Sequence, residues 1–212
     1  MKKIYLISLL TLCHFTSQSQ QLYLIADQGF GFERQSITVG SYTNEMSLTS
    51  LFGLGVGVDI NLFGPLVLSG SASYHLNFGV NKTTGSAGSS SSSHSFNVKR
   101  LSAGLATNFR FEEKKVGFRF GAGLDFNFPG TFNAKINSDE HGEVNYDNAI
   151  GYYITAAIPF DISDNLELAP YVAFRNYELK ASSWERADLS SLNPSLAILN
   201  GNSVALGVLL LF

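Results

Sequence analysis

The sequence predicts an all-β chain: an eight-stranded antiparallel up-and-down β-barrel that crosses a membrane with its strands. Three observations predict it. Apolar and small or polar residues alternate with a period of two in eight separate segments, the pattern of strands with two unlike faces. Short and long connections alternate between those segments, as in barrels whose two ends face different compartments. One face of the segments is bulky and almost bare of charge, while the other is rich in Gly, Ser and Asn. A water-exposed sheet so bare would associate, whereas a narrow barrel needs small polar residues inside.

The first 19 residues are a separate unit. Lys2 and Lys3 precede a mostly apolar run from Ile4 to Phe15, and Ser17 and Ser19 suit a cleavage site. This is the three-part pattern of a secretory signal peptide, which leaves residues 20–212 as the barrel domain. Its removal takes away two lysines and no acid, so the net charge moves from −3 to −5.

The strands follow in order. In "QLYLIADQGFGF", Leu22, Leu24, Ala26, Phe30 and Phe32 oppose Tyr23, Asp27, Gly29 and Gly31. In "LFGLGVGVDINLFGP", every second residue from Phe52 to Leu62 is apolar, and Gly53, Gly55, Gly57, Asp59 and Asn61 lie between. Leu66, Leu68, Ala72, Tyr74, Leu76 and Phe78 oppose Ser69, Ser71, Ser73, His75 and Asn77 in the third. Leu101, Ala103, Leu105, Phe109 and Phe111 oppose Ser102, Gly104, Asn108 and Arg110 in the fourth. The fifth is the cleanest, with Val116, Phe118, Phe120, Ala122, Leu124, Phe126 and Phe128 against Gly117, Arg119, Gly121, Gly123, Asp125 and Asn127. The sixth runs from Ile150 to Ile162 with Tyr153, Thr155 and Asp161 on the polar side. In the seventh, Leu166, Leu168, Val172 and Phe174 oppose Glu167, Tyr171, Arg175 and Tyr177; in the last, Val204, Leu206, Val208, Leu210 and Phe212 form the outer row. Most segments outrun the ~5–6 residues of an ordinary strand and suit tilted membrane strands of ~9–11. Pro159 and Pro170 each lack a donor and are expected at bulges or strand ends.

Tight turns are expected at Phe63-Gly64-Pro65, at Glu112 to Lys115 and at Ser163-Asp164-Asn165, and long polar loops at Glu33 to Ser47, Gly79 to Ser95, Pro129 to Asn148 and Glu178 to Asn202. The second loop, "TTGSAGSSSSSHS", is of low complexity and is expected to be mobile. The fourth holds the only tryptophan, Trp184, and the apolar stretch Leu192 to Leu199. It is expected to cover the barrel mouth or to extend strands outward.

Composition narrows the function classes. Charged residues make up 15% of the chain, against roughly 25% in soluble domains, and the slight net negative charge gives no case for nucleic acid. After Phe15 no apolar run reaches the ~18 residues of a spanning helix. The one cysteine, Cys13, lies in the leader, and the Leu10-Thr11-Leu12 before it lacks the small residue of a lipid-attachment site. No metal or cofactor is expected. The acids Asp139, Glu140, Glu143 and Asp147 lack ordered calcium-loop spacing, and "GLGVG" sits in a strand with no following helix, so it is no nucleotide loop. His75, His94 and His141 form no serine–histidine–carboxylate pattern, so no enzymatic role is expected.

Inward parity collects eight charges: Asp27, Asp59, Arg110, Arg119, Asp125, Asp161, Glu167 and Arg175. Asp161 and Glu167 should face each other across the third tight turn, where two carboxylates repel. Arg119 is expected to relieve them through bidentate contact. In a barrel this narrow such groups fill the interior as a polar plug.

The terminus "NSVALGVLLLF" carries the most specific signal, with apolar residues at every second position back from Phe212 through Leu210 and Val208. With the eight-strand pattern, the chain resembles the small OmpA/OmpX-type outer-membrane barrels, whose C-terminal aromatic is a signal for the barrel assembly machinery. The resemblance implies a monomer in the outer membrane of a Gram-negative-type envelope, in contact with lipid and lipopolysaccharide. It also implies a structural or surface-interaction role for four displayed loops, whose ligand the sequence does not name. The alternatives are a narrow porin-like channel, a lipid A-modifying enzyme and a soluble lipocalin-like binder.

Overall fold

In the computed structural model, residues 20–31, 35–39, 42–46, 51–85, 88–111, 116–136, 140–185 and 198–212 are described. The expected leader, the turn at Glu112 to Lys115, residues 32–34, 40–41 and 47–50 at the first loop and residues 186–197 of the fourth lie outside them, as do the side chains of His94, His141 and Trp184.

Eight strands form the wall: β1 Gln20–Gly31, β2 Phe52–Phe63, β3 Leu66–Gly85, β4 Gly88–Arg110, β5 Gly117–Pro129, β6 Ala149–Ala157 continued by Phe160–Ser163, β7 Leu166–Asn176 and β8 Ser203–Leu211. Each pairs antiparallel with the next. β8 returns to β1 from Tyr23↔Leu211 to Gly31↔Ser203, and Phe212 N donates to Leu22 O at 2.9 Å. The sheet therefore closes on itself, so each of the eight strands has a partner on both sides in the barrel wall, as hydrocarbon requires.

The faces follow the alternation. Leu22, Phe52, Leu54, Leu105, Phe120, Ile150, Ile154 and Leu206 are exposed on the outside, while Tyr23, Asp27, Asp59, His75, Arg119, Asp125 and Arg175 are buried inside. Outward aromatics gather at two levels. Phe30, Phe52, Tyr74, Phe128, Tyr152 and Phe174 ring the long-connection end; Phe63, Phe109, Phe111, Phe118 and Phe212 ring the short-turn end. An apolar band between aromatic girdles is the surface of a membrane barrel.

Three details refine the expectation. Residues 79–85 and 88–95 do not form a loop: β3 and β4 continue through them in unbroken register to Gly85↔Gly88. The first connection carries a separate hairpin of Gln35–Val39 with Tyr42–Met46, and the third and fourth carry the strands Phe132–Ile136, Glu140–Tyr146, Glu178–Glu185 and Ile198–Asn200. The latter strands pair in succession from Ser92–Ser95 onward and raise one side of the wall. The fourth connection thus extends strands outward over 178–185. Finally, the prolines act together. β6 is interrupted at Ile158 and Pro159, yet Ile158 N donates to Pro170 O at 3.0 Å and Gly117 N to Pro159 O at 2.7 Å. Pro170 sits at no bulge or end. It keeps its register with Val208, and its missing donor faces the interruption across the strand pair.

The tight turn after β2 depends on Gly64, whose φ of 54° lies in the left-handed region that side chains with a Cβ rarely adopt.

Candidate functional site

The lumen is built in layers. At the short-turn mouth, Asp161 and Glu167 are register partners. Arg110 bridges them, with Nη1 2.5 Å from Asp161 Oδ1 and Nη2 on Glu167. Arg119 was the expected partner, by parity and proximity. It lies instead one layer deeper and clamps Asp59 with both terminal nitrogens, Nη2 donating to Oδ1 at 3.0 Å. Its remaining donors reach Asn108 Oδ1 and Ser69 Oγ, both at 3.2 Å. Tyr23 stacks beside it, ring centroid 6.0 Å from the guanidinium, and its hydroxyl is 3.0 Å from Ser69 Oγ.

A third layer centres on Asp125, which takes Arg175 Nη1 at 2.7 Å and Ser102 Oγ at 2.6 Å. Arg100 Nε lies 3.6 Å from the same carboxylate and donates to Asn127 Oδ1 at 2.8 Å. Asp27 accepts from the Tyr171 hydroxyl at 2.6 Å and lies 3.8 Å from Arg175 Nη2. His75 joins the halves, with Nδ1 3.5 Å from Asp27 and Nε2 within reach of Ser73 Oγ at 2.8 Å and Arg100 Nη1 at 3.3 Å. Tyr177 and Tyr153 face Arg100 and Arg175 at 5.3 and 5.7 Å.

Three buried carboxylates, Asp27, Asp59 and Asp125, thus meet three buried guanidiniums, Arg100, Arg119 and Arg175. Fork-shaped donors on planar carboxylates make this pairing strong, and an uncompensated charge here would be costly. Glycines let the layers interlock. A Cβ on Gly53 would collide with Asp27 and His75, one on Gly57 with the Tyr23 ring, and one on Gly207 with Asp27 and Tyr171. Between the second and third layers remains a cavity of about 60 Å³ walled by Ser71, Ser102, Thr155 and Tyr153, large enough for a few waters.

The plug is less hydrophilic than expected. Below and beside Arg119, Ala157, Ala169, Leu209 and Leu211 pack with Tyr23 and Tyr171. Beyond the third layer, Phe96, Val98, Phe132, Val144, Leu179 and Leu199 close over Tyr146 and Tyr177. The Leu209-Leu211 break in the polar row of β8 is the sequence signal for the lower cluster. Arg100 was also missed, although the parity of Ser102 and Gly104 extends back to it.

The closed eight-strand ladder with this inverted surface settles the comparison. The fold is that of the small outer-membrane β-barrels. Solved structures that carry it include OprG of Pseudomonas aeruginosa (10% identity, 91% of this chain and 95% of that one, TM-score 0.56), a major outer membrane protein of Thermus thermophilus (12%, 92% and 100%, 0.52) and Neisserial surface protein A (10%, 91% and 95%, 0.51). No protein-family model matches the sequence, and no curated protein matches it by sequence. Among the described residues no cluster of His, Cys, Asp and Glu could hold a metal.

Proposed function

We propose that the protein spans a bacterial outer membrane as a side-chain-filled barrel and serves as a rigid scaffold that holds its long connections at the outer surface, without turnover. One observation carries this reading: the outward face is apolar between two aromatic girdles, while the paired charges are inside. A soluble barrel needs the opposite. The outer-membrane origin of the three similar folds supports the location. Phe212, with Leu210 and Val208 on the same outward row, would present the assembly signal at the β1–β8 seam. The interlocked layers favour a plug over a pore, because an eight-stranded barrel has room for side chains and little else.

Two measurements on the same preparation test the proposal. Purified outer membranes should contain a band whose gel migration shifts on heating, as a closed barrel unfolds. The purified barrel in planar bilayers should give no steady large openings. A chain recovered in the soluble fraction would remove the spanning role, and stable conductance would replace the plug with a channel.

A further inference from the structure

The outward wall has a shallow place on β3. Two successive outward positions there, Gly70 and Ala72, are small, between Leu68 and Tyr74. A Cβ on Gly70 would meet nothing nearer than Ser102 O at 3.9 Å. The gap is a groove of about 720 Å³ with Leu24 and Val56 on one side, Leu101 on the other, and Phe212 toward the short-turn end. That volume falls within the ~300–1,000 Å³ of small-ligand sites.

Lys99 lies just beyond the groove's lining, toward the long-connection end. It is the next outward residue of β4 beyond Leu101, about 7 Å along the strand, and its register partners are Tyr74 and Phe128. Lys99 is exposed, and among the described side chains of the barrel strands it is the one cation on the outward face. Arg100, Arg110, Arg119 and Arg175 all engage carboxylates of the interior row. A lone ammonium at a girdle, beside tyrosine and phenylalanine and above an apolar trough, complements a molecule with an anionic head and a hydrocarbon tail. Lys99 lies on the long-connection side, so the head must approach from the outer leaflet.

We propose that this groove binds a phosphorylated, multiply acylated lipid of the outer leaflet, one acyl chain lying over Gly70 and Ala72 and a phosphate on Lys99. The inference rests on the spanning role and adds a lipid site to it. Native mass spectrometry of the full chain in detergent tests it, using samples that first give the heat-shifted folded band. The probes are lipopolysaccharide, its phosphatase-treated form, phosphatidylglycerol and inorganic phosphate. The wild type should retain one lipopolysaccharide and hold the dephosphorylated form about fivefold more weakly, the weight of one surface lysine on an anionic head. Lys99→Gln should lose the same factor and Lys99→Arg restore it. Gly70→Leu, which fills the trough and leaves the charge, should also weaken retention. Equal retention by Lys99→Gln and Gly70→Leu overturns the site, as does equal binding of phosphatidylglycerol or of inorganic phosphate. A chain that never gives the folded band defeats the spanning role and the site together; a folded chain with unchanged binding defeats the site alone.

Discussion

Arg119 and Asp59 face each other in the lower lumen with almost no access to water, so the value of each depends on the other. Removing the arginine alone leaves a buried carboxylate with only neutral neighbours. Arg119→Leu should therefore destabilise the barrel by about 3–5 kcal/mol, while a double change with Asp59→Leu should recover most of the loss. Urea titration of the folded band in lipid vesicles measures both, and strictly additive effects would show the pair to be uncoupled. The same reasoning does not extend to Arg110, whose partners at the mouth are partly solvated and whose contribution is screened. Asp27 shows the opposite limit. Its Oδ1 accepts no hydrogen bond and Arg175 Nε makes none, although both line a gap of about 10 Å³ with His75 and Arg100. A gap of that size is near the smallest that admits one water.

The strands differ in what holds them. Within the band every strand has two neighbours, but beyond it the hairpin of β3 and β4 narrows to a pair: among the described residues, Lys82 to Gly85 have ladder partners only in Ser91 to Gly88. The paired extension on its flank uses Ser92–Ser95 instead. Replacing residues 82–91 by an Asn-Gly turn, which suits a two-residue hairpin, should leave the heat-shifted band and its unfolding midpoint unchanged. Loss of the folded band would mean that the projecting hairpin supports the barrel. This hairpin also marks where the sequence stops being informative. Strand faces could be read from Phe52 or Phe118 because two different environments impose alternation. In "TTGSAGSSSSSHS" nearly every residue is small and polar, so there is no alternation to read and only composition remains. The lumen was legible to the same degree. Parity placed Asp27, Asp59, Asp125 and Arg175 inside, yet it does not give height. Whether Arg119 meets Asp161 or Asp59 depends on the stagger of neighbouring strands around the barrel, and that stagger put Asp59 and Ser69 at its level. The apolar cap at the long-connection end of the plug was hidden for a further reason: Phe132, Val144 and Leu199 belong to connections whose pairing arises only once the wall extends past the band.

Taken whole, the molecule inverts the usual arrangement, and solvent decides whether that is stable. In water the exposed Leu, Ile and Phe of all eight strands would be a liability; in hydrocarbon they cost nothing, and the buried charges are paired with one another inside. Folding stability should then depend on depth in a way no soluble protein would show. Leu105 lies near the middle of the outward band, opposite Ala122 on β5 and Leu68 on β3, whereas Phe111 lies beyond the end of β4, at the short-turn girdle. Both are about half exposed, 49% and 51%, so area alone predicts similar effects. If acyl chains surround the wall, Leu105→Arg should cost about 2–4 kcal/mol and Phe111→Arg only about 0–1. Denaturant titrations of the two variants in lipid vesicles give the comparison. Equal costs at the two depths would mean that the outer face meets one uniform medium, and the inverted surface would then need another partner than a bilayer.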